Sequence, residues 1–496
     1  GSSLTIDAET AVQASSPSAS FEFSASTTSN EWLTAQNPPP PTPTVSPEVR
    51  FTPSHALNLL ALRGLKKPVA NRQADTYFSS GLRPRDTTEH FWTRDFLTGN
   101  WGGLRDELYD RGIEVYVAQF IDVYGNVSGG LEQASTVNSL TLFGLDLYTS
   151  RLGWWEGGQI HLTTAWIEGT SLAREDVGAT NSVFFADPIR SGFRLFELWY
   201  GQRFDHQRGE VRFGTIFPFV RIASSQPAAL FTNAAFQYPT FLGTTPSLGL
   251  SAAYAAAPLG LQVSYNFSPE FTVIGQISDG FQDPSGGFDN FRNVNIGLSG
   301  EEGLEGIFEF GYRLYQRPTS TGLPGNYKLG VQFHTGRFYD NHRNENGDSL
   351  AIDGGEPEEH WGNSAFYLVM DQMLTRESAE APGRYQGLTA FLKATFTPNE
   401  EINLISLNVA GGLVYEGLIP GRDRDLFGLG ISYSRFSNGI RDFDRDSSSI
   451  HSGLPIRDAE TVIELVYGAE IAPWWFLVGS VQHIIHPSGS SHIPDA

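Results

Sequence analysis

Charged and hydrogen-bonding side chains recur at every second position of otherwise apolar runs in this 496-residue chain. Asp122, Asp146, Glu197, Arg212, Lys328, His334, Asp371, Lys393 and Glu464 all sit in such alternating runs. Arg337 and Arg422 stand near strand ends or on connections able to fold inward. A strand sends successive side chains to opposite faces, so the alternation gathers the polar members on one side and the apolar members on the other. Donors and acceptors of both signs around a common cavity would replace water about a polar solute. Taken singly, each of these residues also reads as a solvated charge or one half of a cross-strand ion pair.

Other chemistry is poorly supported. Asp442, Asp444 and Asp446, and again Asn344, Asn346 and Asp348, are spaced i, i+2, i+4. A calcium loop of that kind needs Gly at its sixth position and Glu at its twelfth. Ser447 and Gly453 occupy those positions in one case, Ser349 and Gly355 in the other, so solvated outer loops are expected. His483, His486 and His492 cluster late in the chain, but no His-Glu-x-x-His helix exists. There is no Gly-x-Ser-x-Gly elbow, no P-loop and no Gly-rich dinucleotide turn after a strand. The sequence therefore points away from an enzyme and calls for no metal and no cofactor. Cysteine is absent, which excludes disulfides and thiolate metal sites. The formal charge of 33 − 55 = −22 argues against a nucleic-acid partner, whose phosphates need Lys and Arg.

The positioning elements follow from composition and period. Charged residues make up 18% and aromatics 13%, with 35 Phe, 18 Tyr and 10 Trp. This fits a lipid-facing band with interfacial aromatics, and equally a soluble all-β protein with an aromatic core. No stretch reaches the roughly 18 apolar residues of a spanning helix, so a membrane form requires a closed barrel. Period-2 segments begin at Ile113, where Val115, Val117, Ile121 and Val123 alternate with Tyr116, Ala118, Asp122 and Tyr124. They return at 141–147, 160–166, 194–203, 210–214, 261–267, 307–315, 327–336, 365–373, 388–396, 402–415, 426–436, 461–471 and 476–485. In 194–203 the apolar face is read as Phe196, Leu198 and Tyr200, against Glu197, Trp199 and Gly201. Short Pro-containing turns at Ser268–Glu270, Thr397–Asn399 and Ala472–Pro473 are expected on one side. Long polar loops at 174–193, 278–292, 340–361, 417–425 and 437–458 are expected on the other. At roughly 25 residues per strand with its share of loop, this length holds about 16 strands. A propeller would repeat every ~40–50 residues, and no such repeat is seen.

Residues 1–90 differ in kind. Ala, Ser, Thr and Pro dominate, with a four-proline run at Pro38–Pro41, and a mostly disordered or extended segment is expected. Ser54–Lys67 is the exception, with helical spacing of Leu57, Leu60 and Leu65. A second short helix is expected over Asn100–Arg111, capped by Thr98 or Asn100 and ended by a left-handed Gly112. Gly1-Ser2-Ser3 reads as a processed or engineered start.

The run Leu97-Thr98-Gly99-Asn100-Trp101-Gly102-Gly103-Leu104-Arg105, followed by Gly125-Asn126-Val127-Ser128-Gly129-Gly130, resembles the N-terminal signature of the carbohydrate-selective outer-membrane porins of the OprB type. Leu195–Tyr200, Tyr327–Gly330 with His334–Phe338, Asp371–Leu374, Gly417–Arg422, Glu464–Tyr467 and Pro473–Gly489 are similar to later stretches of that family. The set spans residues 97–496. The resemblance implies a transmembrane antiparallel β-barrel of about 16 strands in a bacterial outer membrane, preceded by the short helix on the periplasmic side. It implies passive diffusion of small carbohydrates and other small solutes, with the inward polar residues as lining. The partners it implies are small sugars and outer-membrane lipid. Self-association stays open, and residues 1–90 are free to contact a periplasmic or envelope partner. Thr215–Phe219 departs from the more charged segment expected there, so lumen chemistry is expected to differ. The family pattern also continues into a closing strand beyond Ala496, and truncation of the chain is the expected reason. The competing reading is a soluble or surface-attached all-β glycan-binding protein or glycosidase. A barrel used mainly as an anchor is a third.

Overall fold

Alternation is realised as a single meander. The computed structural model describes residues 90–184, 191–218, 221–237, 257–280, 303–316, 320–377 and 386–496. Its strands are β1 (Ile113–Gly125), β2 (Ser135–Tyr148), β3 (Gly158–Glu168), β4 (Gly192–Phe204), β5 (Gly209–Thr215), β6 (Leu259–Asn266), β7 (Phe271–Asp279) and β8 (Leu304–Leu314). They continue with β9 (Gly325–Asn344), β10 (Pro357–Met373), β11 (Gly387–Phe396), β12 (Ile405–Glu416), β13 (Leu426–Phe436), β14 (Ala459–Ala472) and β15 (Trp475–Ile485). The fifteen strands form one sheet in sequence order, each antiparallel to the next, against about 16 expected. Among the described residues no helix is long and apolar enough to cross a membrane.

The two faces differ as the period demands. Val117, Ile121 and Val123 of β1, Leu329 of β9 and Val481 of β15 are exposed on the outer face. Asn138, Asp146, Gln262, Gln276, Gln332 and Asn408 are buried on the inner face. Apolar side chains left on the outside belong in hydrocarbon, while paired backbone groups satisfy what lipid cannot.

The ends of the sheet approach one another. Ala496 and Ile484 exchange both backbone hydrogen bonds, at 2.5 and 2.9 Å, and Gly130 N donates to Pro494 O at 2.8 Å. At the opposite end, Trp474 Nε1 donates to Phe91 O at 2.9 Å. Among the described residues no ladder joins β1 to β15.

Several expectations are corrected. β7 was not anticipated, and β9 and β10 run through much of the stretch read as a loop at 340–361. Because successive strands reverse direction, the 397–404 connection lies at the end opposite Ser268–Glu270 and Ala472–Pro473. By the same count Gly417–Asp425 joins the short-turn end. Phe196 is buried, because it is the extra, bulged residue of β4: Glu197 pairs with Thr163 and Leu195 with Thr164, which breaks the alternation there. The polar stretch 437–458 holds a helix, Asn438–Ile450, capped by Ser437. The first helix, α1 (Leu104–Asp110), is shorter than the expected 100–111, because a separate 3-10 turn at Trp101–Gly103 precedes it and Gly103 is its N-cap; we call the later one α2. Asn100 Oδ1 accepts from Asp106 N, and Gly112 adopts φ +85°. The helix expected at Ser54–Lys67 lies outside the described residues.

Two connections at the loop end turn into the interior. The first, 169–184, follows β3; the second, described over 216–218 and 221–237, follows β5. Leu172, Val177 and Phe184 of the first, with Leu230, Phe231 and Phe236 of the second, pack against Val414, Val462, Val466 and Ile484 of the wall. Gly428 and Gly430 give the rings room: a Cβ on Gly430 would lie 2.7 Å from Phe231 and 2.8 Å from Phe236.

Candidate functional site: the bore and its two inward segments

The interior charges meet the main chain of the inward segments. Glu197 Oε1 accepts from Phe217 N at 2.9 Å, and Glu309 Oε2 from Ala223 N at 2.6 Å. Lys328 Nζ donates to Ser224 Oγ and to Arg221 O. Asp371 accepts from Ser225 Oγ, and Lys393 Nζ donates to the carbonyls of Phe236 and Gln237. Glu464 accepts from Thr232 N at 2.7 Å and Asn233 N at 3.0 Å. The second segment thus finds partners on β4, β8, β9, β10, β11 and β14. Only a sheet wrapped round it can supply them.

Glu460 does the same for the first segment. Its oxygens accept from Thr180 N at 2.7 Å and Asn181 N at 3.0 Å. Thr180 and Asn181 are buried, so their N–H groups need protein acceptors, and one carboxylate satisfies both.

A second cluster lies on β2–β6. Asp146 accepts from Gln159 Nε2 at 2.8 Å and meets His161 Nδ1 at 2.7 Å. The His161 ring stacks on Trp199 at 4.8 Å, and the Arg212 guanidinium covers Trp199 at 4.4 Å. Arg212 and Arg221 both reach Glu210 Oε2, at 2.8 and 2.9 Å. Arg221 continues to Gln262 and Ser264. His161, Trp199, Glu210 and Arg212 are all buried, so this stack braces the inner wall rather than presenting an aromatic face to solute.

The residues singled out from sequence divide by position. Asp146, Glu197, Arg212, Lys328, His334, Asp371 and Glu464 are buried on the inner face, and Asp122 is half-buried opposite Asn138. His334 Nε2 meets Gly280 O at 2.6 Å. Arg337 does not fold inward: it lies on the outer face, 3.3 Å from Glu359 and over Trp361. Arg422 does not either; it pairs with Asp425 at 2.6 Å on the rim of the short-turn end. Both are held by nearby carboxylates, which gives them no reason to enter the bore. The sequence reading passed over Glu460, Glu309, His161 and Arg221. Glu460 carried a usable signal, four residues before Glu464 and so on the same face.

Asp340, Glu358 and His360 bring three ligand atoms within 4.8 Å of one another on the β9–β10 hairpin. The Asp340 oxygens are already engaged there, by the N–H groups of His342 and Arg343 and by His360 Nε2.

Comparison with known proteins agrees with this architecture. The chain is 23% identical over 425 residues to Porin B of Pseudomonas aeruginosa, covering 81% of this chain and 89% of that one. It is 23% identical over 434 residues to the putative porin QuiX of Acinetobacter baylyi, covering 82% and 92%. The high-pH structure of Pseudomonas putida OprB superposes with a TM-score of 0.72 at 23% identity, over 82% of this chain and 97% of that one. The profile described as "Carbohydrate-selective porin, OprB family" matches residues 134–496, beginning downstream of the Leu97–Arg105 signature. With most of its length matched by that profile and its strands in the same sheet architecture, the chain belongs to the OprB family of carbohydrate-selective porins.

Proposed function

We propose that this protein is a passive diffusion channel of the bacterial outer membrane for small carbohydrates and other small solutes. The observation that carries the reading is a family member whose outer face is apolar and whose polar interior is narrowed by two ordered segments. Passage then depends on width and on groups that bind weakly enough to release. No bond is broken in this reading, and no cofactor takes part.

Orientation follows from the connections. The short-turn end, with α1, faces the periplasm, and the end bearing α2 and the β9–β10 extension faces outward. Residues 91–496 make the barrel unit and 1–90 an extension available to an envelope partner. Barrels associate or remain single without change to this reading.

Liposome swelling tests it. Vesicles holding the refolded protein should swell in neutral mono- and disaccharides at rates that fall with solute size. Heat-modifiable migration in detergent gels should accompany this. A monodisperse protein stable without detergent would instead favour the soluble glycan-binding alternative.

A further inference from the structure

We propose that Glu460 and Glu464 are positioning residues that set the width of the bore, each latching one inward segment. This rests on the channel reading above. The two stand four residues apart on the inner face of β14, and the structure repeats one arrangement at both. Glu460 accepts the consecutive N–H groups of Thr180-Asn181, and Glu464 those of Thr232-Asn233. Each Thr hydroxyl lies 3.2 Å from a serine hydroxyl: Thr180 from Ser488, Thr232 from Ser480. One strand thus carries two Glu/Thr-Asn latches, built from unrelated loops.

The geometry makes each latch a control of position. Hydrogen bonds to a carboxylate are shorter and roughly twice as strong as neutral ones. A segment cannot slide along β14 without giving up two of them together, and Thr180, Asn181, Thr232, Asn233 and both glutamates are buried where water does not readily replace them. The latches are unequal. The second segment is also held by Glu197, Glu309 and Lys393. Among the described residues, Glu460 is the carboxylate that takes the first segment's main-chain N–H groups. Losing Glu460 should therefore release more of the constriction than losing Glu464.

The test uses the full-length barrel. Glu460→Gln and Glu464→Gln keep the side-chain shape but turn one acceptor into a donor facing an N–H. Conductance follows the open cross-section, so Glu460→Gln should raise single-channel conductance roughly two-fold and admit larger sugars, and Glu464→Gln should do so less. The chain has no cysteine, so engineered pairs report cleanly. Thr180→Cys/Ser488→Cys, oxidised, should return Glu460→Gln to wild-type conductance, and reductant should release it again. Thr232→Cys/Ser480→Cys should do the same for Glu464→Gln. A residue needed only for folding would show no redox-reversible width.

Amide exchange separates the latch from the channel. Thr180 and Asn181 N–H should lose protection in Glu460→Gln, and Thr232 and Asn233 in Glu464→Gln, whether or not the barrel conducts. Unchanged protection in folded variants overturns the latches. Lost protection with unchanged conductance and sugar cut-off overturns their control of width. A wild-type barrel that conducts nothing overturns the channel reading instead.

Discussion

Arg212 lies face-on to Trp199, 4.4 Å from the ring centre, while its Nη2 donates to Glu210 at 2.8 Å. The guanidinium is thus fixed in plane by an aromatic face and in direction by a carboxylate, a combination that Lys cannot reproduce. His161 closes the stack on the other side of Trp199 and carries it to Asp146. This stack and the latched segments share one wall, through Glu197, which lies 3.9 Å from His161 and also accepts Phe217 N–H. Wall and constriction are therefore parts of one interior network.

Arg212→Ala should show what that network contributes. It removes one of two cations from a buried carboxylate and one face from a buried indole, and breaking a buried ion pair typically costs about 3–5 kcal/mol. Arg221 still reaches Glu210, so a loss near 3 kcal/mol is expected in denaturant unfolding from lipid vesicles. Arg212→Lys should recover only part of it. A change below about 1 kcal/mol for the Ala variant would show that the pair is not coupled to the fold.

The direction of the faces is tested from outside. Leu329 is exposed on the outer face of β9, so Leu329→Arg should destabilise the barrel in vesicles by about 2–4 kcal/mol, as a charge near the middle of the bilayer does. Arg337, further along the same face, pairs with Glu359 where both are partly exposed. Arg337→Ala should change stability by less than about 1 kcal/mol and leave sugar flux unaltered. A flux change in Arg337→Ala would place that side chain in the solute path.

What could be read from the sequence was what depends on local alternation. Val117 and Asp122 take opposite faces because nothing interrupts the period of β1. Phe196 was misplaced because one bulged residue reverses the face, and the bulge is set by pairing with β3, not by β4 itself. β7 escaped notice because Gly275 stands where an outward apolar residue belongs and Ile274 points inward. α2 hid in a run rich in Asp and Ser; its support comes from Ser437 and from Arg457, which reaches both oxygens of Asp444. The interior role of Glu464 was half legible. Its face followed from period, but its partners come from residues 232 and 233, which no local pattern brings near. The same holds for Lys328 and Asp371, which meet the second segment across more than a hundred residues.

Gly430 tests how closely that segment rests on the wall. Its Cα faces the rings of Phe231 and Phe236, so Gly430→Val forces them from their seats while leaving the β13 ladder intact. Overpacking of this kind costs roughly 1–3 kcal/mol. The variant should still show heat-modifiable migration, but residues 228–237 should become open to limited proteolysis. Wild-type resistance there would mean that the wall, not the segment, gives way.

Acid should loosen the outward end before the barrel itself. Asp446 of α2 lies beside Ser349 and His342, with His342 Nε2 at 2.7 Å, and these hold its carboxyl below the ordinary 3.8. A carboxylate depressed in the folded state adds stability that is complete above its unfolded value and is lost as pH falls through the folded one. The carboxylate's share of the contact joining α2 to the β9–β10 hairpin should thus be lost as pH falls below about 4. Because the pair is partly exposed, its contribution is no more than about 1 kcal/mol. Amide exchange in α2, taken relative to the intrinsic rate at each pH from 7 to 3, should rise at the acid end in the wild type. In Asp446→Asn it should already be raised at pH 7 and show little further dependence on this contact. If the two proteins exchange alike at pH 7, the carboxylate does not secure the helix, and its other contacts, the bidentate Arg457–Asp444 pair and Ile440 against Leu404, Ile405 and Phe436, hold it instead.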